Sequence, residues 1–146
     1  MPDLDFDSIS GAGSVISNVL DYSKWVHALL NSFPSGPVSK SGFDALKTSR
    51  TIMPRGDEDI FPYTGTYSYS LGWMTGVYKG HEFFEHGGGM AAYGAEVIFF
   101  PALNYGLVAL GNTAATSNFV ENKLIWHLID EKLGVPEKER FDWNKK

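Results

Sequence analysis

The chain has 146 residues, a formal net charge of −5, 43% hydrophobic residues and no cysteine, which suits one domain with an ordinary apolar core. The acidic balance argues against a nucleic-acid partner, and no apolar run approaches the roughly 20 residues of a membrane-spanning helix. The lack of cysteine excludes disulfides, a thiolate nucleophile and Cys-ligated zinc, but it leaves the cellular compartment undetermined.

The first third of the chain has the patterns of helices and a surface loop. Apolar residues recur at helical spacing over Val19–Asn31, and a Phe-Pro-Ser-Gly-Pro run follows them. A shorter helix is predicted around residues 42–48, capped by Ser39 or Ser41. Prolines, glycines and acidic residues then indicate a loop over residues 53–66.

The middle of the chain changes to the composition and period of β-strands. Residues 67–78 are rich in Tyr, Trp and Val, and Lys79-Gly80 indicates a hairpin tip before a return strand over residues 82–86. Two further apolar strands are predicted over residues 96–100 and 107–110. The short turns between these strands predict an antiparallel sheet of about four strands.

The last helix has the clearest sequence limits. Asn118 stands as its N-cap with Glu121 completing a capping box, and Gly134 followed by proline ends it. Its apolar residues predict one wide face, formed by Val120, Leu124, Ile125, Leu128, Ile129 and Leu133. The predicted fold is therefore α+β, with a helical segment over 1–54 and, over 67–134, an antiparallel sheet carrying the C-terminal helix.

The most informative segment begins at His86, which is followed by Gly87, Gly88 and Gly89. Glycines in a strand leave the backbone edge bare, so its N–H groups can approach a substrate carbonyl as an oxyanion hole requires. The structural alternative is a glycine bulge where another element packs closely.

Other chemistries are poorly supported by the sequence. His81 and His86 resemble a zincin box, but they are five residues apart in a predicted strand and would point to opposite faces, so we predict no metal site. The glycines fit neither phosphate-loop pattern, and no cofactor is expected. His27 and His127 lie in amphipathic helices and are interpreted as structural. No serine stands in a Ser-x-x-Lys or Gly-x-Ser-x-Gly motif, so the chain offers no evident activated nucleophile.

Four stretches of the chain share their order and spacing with one protein family. They are the helix entry at 12–25, the Tyr-Ser-Leu-Gly-Trp run at 69–73, the His-Gly-Gly run at 86–88 with Tyr-Gly at 93–94, and the run from Phe-Pro to Gly-Asn at 100–112. Together they resemble the C-terminal part of the serine β-lactamase-like superfamily, the group of class C β-lactamases, DD-peptidases and esterases. The resemblance implies an antiparallel sheet that is shared between the two ends of a longer chain.

The same resemblance implies a site on the His-Gly-Gly strand. His86 would face the reaction centre, Gly87 and Gly88 would line the cleft, and the N–H of Gly89 would help form the oxyanion hole. The family acylates the serine of a Ser-x-x-Lys motif with help from a Tyr-x-Asn motif, and neither occurs in this chain. We therefore expect residues 1–146 to be the C-terminal portion of a hydrolase of a small ester, an amide or a peptide, inactive by itself.

A different class of function remains open. The chain could be a non-catalytic binding or assembly module that uses the same cleft wall, including as a strand-exchanged homodimer. Bare strand edges and apolar faces favour self-association, or assembly with a missing N-terminal part. An upstream, in-frame Ser-x-x-Lys and Tyr-x-Asn would favour the enzyme, whereas a genuine start at Met1 would favour the module.

Overall fold

The computed structural model describes residues 10–31, 37–54, 61–63, 65–90, 92–113 and 116–144. Within these residues the helices are α1 (Ser10–Gly13), α2 (Val19–Asn31), α3 (Lys40–Lys47) and α4 (Ser117–Leu133). The strands are β1 (Thr51–Ile52), β2 (Ser68–Tyr69), β3 (Met74–Tyr78), β4 (His81–Met90), β5 (Tyr93–Phe100) and β6 (Tyr105–Gly111). None of the helices in this described part is both long enough and apolar enough to cross a membrane.

The strands form one antiparallel sheet whose spatial order follows the chain from β1 to β6. The predicted α+β fold with an antiparallel sheet is confirmed, and the sheet has six strands rather than about four, because β1 is additional and the strand predicted over 67–78 is divided into β2 and β3. β1 lies within residues 1–54, the segment that the sequence predicts to be helical. The β3–β4 connection is the predicted hairpin turn, with Lys79 at φ 48° and Gly80 at φ 83°, the two positive values of a type I′ turn.

Apolar side chains cover both faces of the sheet, because successive residues of a strand point to opposite sides. One face, which we name the α4 face, buries Tyr63, Tyr78, Phe83, Ile98, Phe100, Ile125, Trp126 and Ile129. The other, the α2 face, buries Val26, Leu29, Phe43, Trp73, Phe84, Val97 and Phe99. The sheet is therefore the middle layer between α4 on one side and α2 with α3 on the other.

The strands differ from the sequence prediction in two places. The single strand predicted over 67–78 is divided into β2 and β3 by a bend, in which Gly72 has φ 76° and the N–H of Ser70 bonds to the carbonyl of Trp73 at 2.8 Å. β4 does not end at His86 but continues through the three glycines to Met90. The glycine segment is therefore strand rather than connection.

The first helices agree closely with their sequence signals. In α2, the side-chain oxygen of Asn18 accepts hydrogen bonds from the N–H groups of Leu20 and Asp21, both at 3.0 Å. The second predicted helix begins two residues earlier than expected, and Ser39 caps it by accepting a bond from the N–H of Gly42 at 3.1 Å. Part of the predicted loop at 53–66, namely 55–60 and 64, lies outside the described residues.

The start of α4 corrects the predicted capping box. The helix begins at Ser117, and its cap residue, Thr116, makes no side-chain cap bond. Asn118 lies inside the first turn, and Glu121 is buried against the sheet. The reason is the close approach of this turn to Gly94, where an added Cβ would lie 2.6 Å from Cβ of Ser117. Side chains that could have capped the helix are therefore directed at the sheet.

The apolar residues of α4 form two faces rather than one. Ile125, Ile129 and Trp126 are buried under the helix, whereas Val120, Leu124 and Leu128 are 60%, 50% and 37% exposed. We name this second row of residues the α4 stripe. The helix ends as predicted at Gly134, which adopts φ 66°.

Candidate functional site

The end of β4 has one covered and one open edge. β3 accompanies β4 only as far as the pair Met74–Glu85, while β5 continues beside it to the pair Met90–Tyr93. Residues 86–90 therefore have a strand partner on one side, and no described strand lies on the other. An edge of this kind presents unpaired backbone groups to whatever approaches it.

The register of the hairpin identifies which backbone groups face the open edge. A two-residue type I′ turn, here Lys79-Gly80, closes on a hydrogen-bonded pair, which is Tyr78 with His81. Bonded and non-bonded pairs then alternate along an antiparallel ladder. His81 directs its backbone groups toward β3, and so does every second residue after it along β4. Beyond the end of β3, the N–H and C=O groups of Gly87 and Gly89 are therefore directed to the open edge.

The side chain of His86 lies beside this edge. It shares the α2 face with Phe84, but unlike Phe84 it is exposed. Its Nε2 lies 3.3 Å from the hydroxyl of Tyr69, and their rings meet edge to face with centroids 6.1 Å apart. On the same face, an added Cβ at Gly88 would meet nothing within 4 Å. An imidazole and bare backbone thus border the same open space.

The opposite side of the glycine segment is closely packed. An added Cβ at Gly87 would lie 2.4 Å from a carboxylate oxygen of Glu96, and one at Gly89 would lie 3.3 Å from Oδ1 of Asn118. The pairing of β4 with β5 is continuous through the glycines, so the alternative of a bulge is not what the strand adopts. That alternative also expected a close contact at the glycines, and the side chain of Glu96 makes one at Gly87.

A polar network joins α4 to the back of the glycine segment. Nδ2 of Asn118 donates hydrogen bonds to the carbonyl of Gly88 at 2.8 Å and to Oε1 of Glu96 at 3.2 Å. Nδ2 of Asn122, one turn later, donates to the same oxygen of Glu96 at 2.8 Å. Burial raises the pKa of Glu96, and the two amide bonds oppose that rise.

A second acid is buried next to His86 on the α4 face. Glu85 accepts hydrogen bonds from the hydroxyls of Tyr67 and Tyr63. Burial raises the pKa of Glu85 to about 7, against the lowering effect of the Tyr67 bond. The two tyrosines thereby fix the segment before β2 to the strand that carries His86.

The remaining histidines do not join this site. His81 opens β4 beside the hairpin turn, five residues from His86, and His127 lies on α4 with its Nδ1 3.4 Å from Arg140. His27 lies within α2. Across the described ranges, no three His, Asp or Glu side chains are grouped to hold a metal ion.

The sequence pattern around the glycines does not identify Asn118 or Glu96, which contact the glycine segment, or Asn122, which bonds to Glu96. A signal was present, since Asn118 and Asn122 are four residues apart and so share a helix face. Glu96 is likewise a lone acid in an otherwise apolar strand. Such polar residues at positions facing the sheet indicate a hydrogen-bonded network, which here is partly buried.

Known proteins resemble this chain in sequence and in fold. The sequence profile of the β-lactamase family matches residues 1–130. An unguisins hydrolase of Aspergillus violaceofuscus is 42% identical over 158 residues, which covers 100% of this chain and 27% of that protein. An unguisins hydrolase of Aspergillus campestris is 42% identical over 137 residues, covering 94% and 25%.

A solved structure has the same fold. The octameric penicillin-binding protein homologue from Pyrococcus abyssi superposes with a TM-score of 0.68 at 24% identity, over 85% of this chain and 26% of its own. This chain thus spans about a quarter of the length of each of these three proteins. Because the β-lactamase profile matches most of its length, the chain belongs to the β-lactamase family.

Proposed function

We propose that this chain is the C-terminal portion of a serine hydrolase that cleaves an ester or amide through an acyl-serine intermediate. The observation that carries the proposal is the open edge of β4, where Gly87 and Gly89 direct backbone groups outward beside His86. Family membership supports a hydrolase, and the length of the relatives supports a larger catalytic unit.

In the proposed mechanism, the substrate carbonyl lies along the open edge with its oxygen near the N–H of Gly89. Negative charge develops on that oxygen as the serine attacks, and a fixed N–H donor stabilises this charge more than the neutral carbonyl. The nucleophile and its base come from outside this chain. His86 faces the same space and offers a ring nitrogen to the reacting groups or the leaving group.

The substrate class is proposed to be a small ester or amide, or a peptide. The two fungal relatives are named for the hydrolysis of unguisins, so unguisins are the first natural substrates to test. Histidine at the position where the family also uses lysine favours esterase or peptidase activity over efficient β-lactam hydrolysis.

The first experiment measures the intact mass and activity of the native protein, captured from its source cells with an antibody to this chain. A mass well above 16.1 kDa, with saturable hydrolysis of a chromogenic ester that a serine-directed inhibitor blocks, would support the proposal. The 146-residue chain alone should give no rate above buffer, because an oxyanion donor without a nucleophile turns nothing over.

A matched pair of histidine variants then tests the site in the longer protein. His86→Ala should lower kcat/KM by about 100-fold or more, as removal of a positioned proton-transfer group does. His81→Ala is the control, since His81 is on the same strand at its other end. Equal activity of the two variants would remove His86 from the mechanism.

The second candidate function is strand binding without catalysis. The open edge of β4 supports it, because an extended peptide can pair with such an edge through its main chain. A native mass near 16 kDa, with peptide binding and no hydrolysis, would favour this module over the enzyme.

A further inference from the structure

We propose that Asn118 is a positioning residue for the peptide group between Gly88 and Gly89, and that it orients the N–H of Gly89 toward the open edge. The inference rests on the proposed function, in which this N–H is the oxyanion donor. It concerns a residue of α4 that lies on the opposite side of the strand from His86.

The glycine segment needs such support. Three successive glycines have the greatest backbone freedom of any sequence, and one edge of the strand has no described partner. An oxyanion donor, in contrast, acts only if it is held in place before the reaction. The pairing with β5 holds one edge, so a further contact has to fix the tilt of the peptide plane.

Asn118 makes that contact on the correct peptide group. Its Nδ2 donates to the carbonyl of Gly88 at 2.8 Å. The carbonyl of Gly88 and the N–H of Gly89 belong to one planar unit and point in opposite directions. Fixing the oxygen on the covered side therefore fixes the N–H on the open side. The bond also polarises the unit, which makes its N–H a stronger donor, by about 10–30% for bonds in a hydrogen-bonded chain.

The Asn118 side chain is itself held rigidly. The first turn of α4, which carries Asn118, lies directly on the sheet. Added Cβ atoms at Gly94 and Gly111 would lie only 2.6 Å and 2.9 Å from Cβ of Ser117. Its Nδ2 also bonds to Glu96 at 3.2 Å, and Oδ1 packs against Gly89. The position of α4 on the sheet therefore determines where Asn118 holds the peptide group between Gly88 and Gly89.

The chain supplies a matched control in Asn122. This residue donates to the same oxygen of Glu96 at 2.8 Å but makes no bond to the glycine segment. Removing Asn122 therefore weakens the network while leaving the Gly88 contact in place. Any effect found only for Asn118 belongs to that contact.

The first test uses nuclear magnetic resonance on the 146-residue chain and needs no activity. Asn118→Ala should lower the backbone order parameter of Gly89 from about 0.85 to below about 0.6, while Asn122→Ala should leave it unchanged. Should Asn118→Ala fail to fold, Asn118→Asp keeps the size of the side chain while replacing the donating amide with a carboxylate. Unchanged order of Gly89 in a folded Asn118 variant would overturn the proposal.

The second test measures kinetics in the longer active protein. Asn118→Ala should lower kcat by about 10- to 100-fold with little change in KM, because the donor acts mainly in the transition state. Asn122→Ala should stay within about 3-fold of the wild type. Equal kcat for both variants would overturn the catalytic part of the inference. If the wild type has no hydrolase activity, the proposed function fails, and the order parameter still decides whether Asn118 positions the peptide.

Discussion

At Glu85, burial and hydrogen bonding have opposite effects on the pKa of the carboxyl. Its side chain is 6% exposed, and within the part of the chain that the structure describes no basic side chain forms an ion pair with it. Tyr67 and Tyr63 donate to it, but burial outweighs them and raises the pKa of the carboxyl to about 7. The folded chain therefore keeps a proton that the unfolded chain, with an ordinary pKa of 4.5, releases at lower pH.

This difference predicts a loss of stability as the pH rises from about 4.5 to 7. The contribution of Glu85 is fully present below the unfolded pKa and is lost as the pH passes through the folded pKa, for a total of about 3 kcal/mol. Glu85→Gln should remove most of that slope, measured as the free energy of unfolding in urea at several pH values. Glu82→Gln, an exposed change on the same strand, is the control and should keep the slope. A full slope in Glu85→Gln would contradict the prediction.

At the scale of elements, the contact between α4 and the sheet depends on glycines. The first turn of α4 lies so close to β5 and β6 that added Cβ atoms at Gly94 and Gly111 would meet Ser117 and Glu121 at under 3 Å. Both carboxylate oxygens of Glu121 are buried there without a hydrogen-bond partner among the described residues. Burial and the nearby Glu96 raise the pKa of Glu121, which favours its neutral form.

Gly94→Ala should therefore destabilise the chain by about 1–3 kcal/mol, because the new methyl group forces α4 away from the sheet. Gly88→Ala is a matched control on the neighbouring strand, where the added carbon meets nothing within 4 Å, and it should change stability by no more than about 0.5 kcal/mol. Thermal unfolding of the two variants measures the difference. Equal stability of the two variants would contradict the prediction, because it would mean that α4 moves away from the sheet without a cost in free energy.

The same contact explains which elements could be predicted from the sequence. The strands around the hairpin and the limits of α2 follow from local patterns, since Lys79-Gly80 and Asn18 act on their immediate neighbours. Asn118 could not be assigned in this way. Its local pattern favours an N-cap, but its amide is taken by Gly88, which is 30 residues away in the chain. The glycine content predicts a backbone bare of side chains, but the open edge itself depends on where β3 ends, and the contact from Asn118 depends on tertiary packing.

At the scale of the whole molecule, the chain exposes surfaces that usually pack in folded proteins. The α4 stripe of Val120, Leu124 and Leu128 is open, and β6 ends the sheet with no described strand on its outer side. Apolar rows and strand edges of this kind promote association. The sequence prediction of self-association, or of assembly with a missing N-terminal part, rests on these surfaces and stays a prediction.

We expect the isolated chain to associate in a concentration-dependent way, and Leu124→Glu to shift it toward monomer by placing a charge in the middle of the α4 stripe. Sedimentation velocity over a range of concentrations measures the effect. Lys123→Gln is the control, because it makes the same change in net charge at an exposed neighbour outside the stripe. A monomeric wild type at all concentrations, or equal effects of both variants, would contradict this role of the stripe.

The order of the sheet has a consequence for how the chain acquires its structure. Every strand pairs with the strand next to it in the chain, and from β2 to β6 the connections between strands are short, so the contact order of this part of the sheet is low. The β3–β4 hairpin, with its two-residue turn, can form first and recruit β5 and β6 by successive zippering. The sheet can therefore assemble from contacts made within this stretch of the chain.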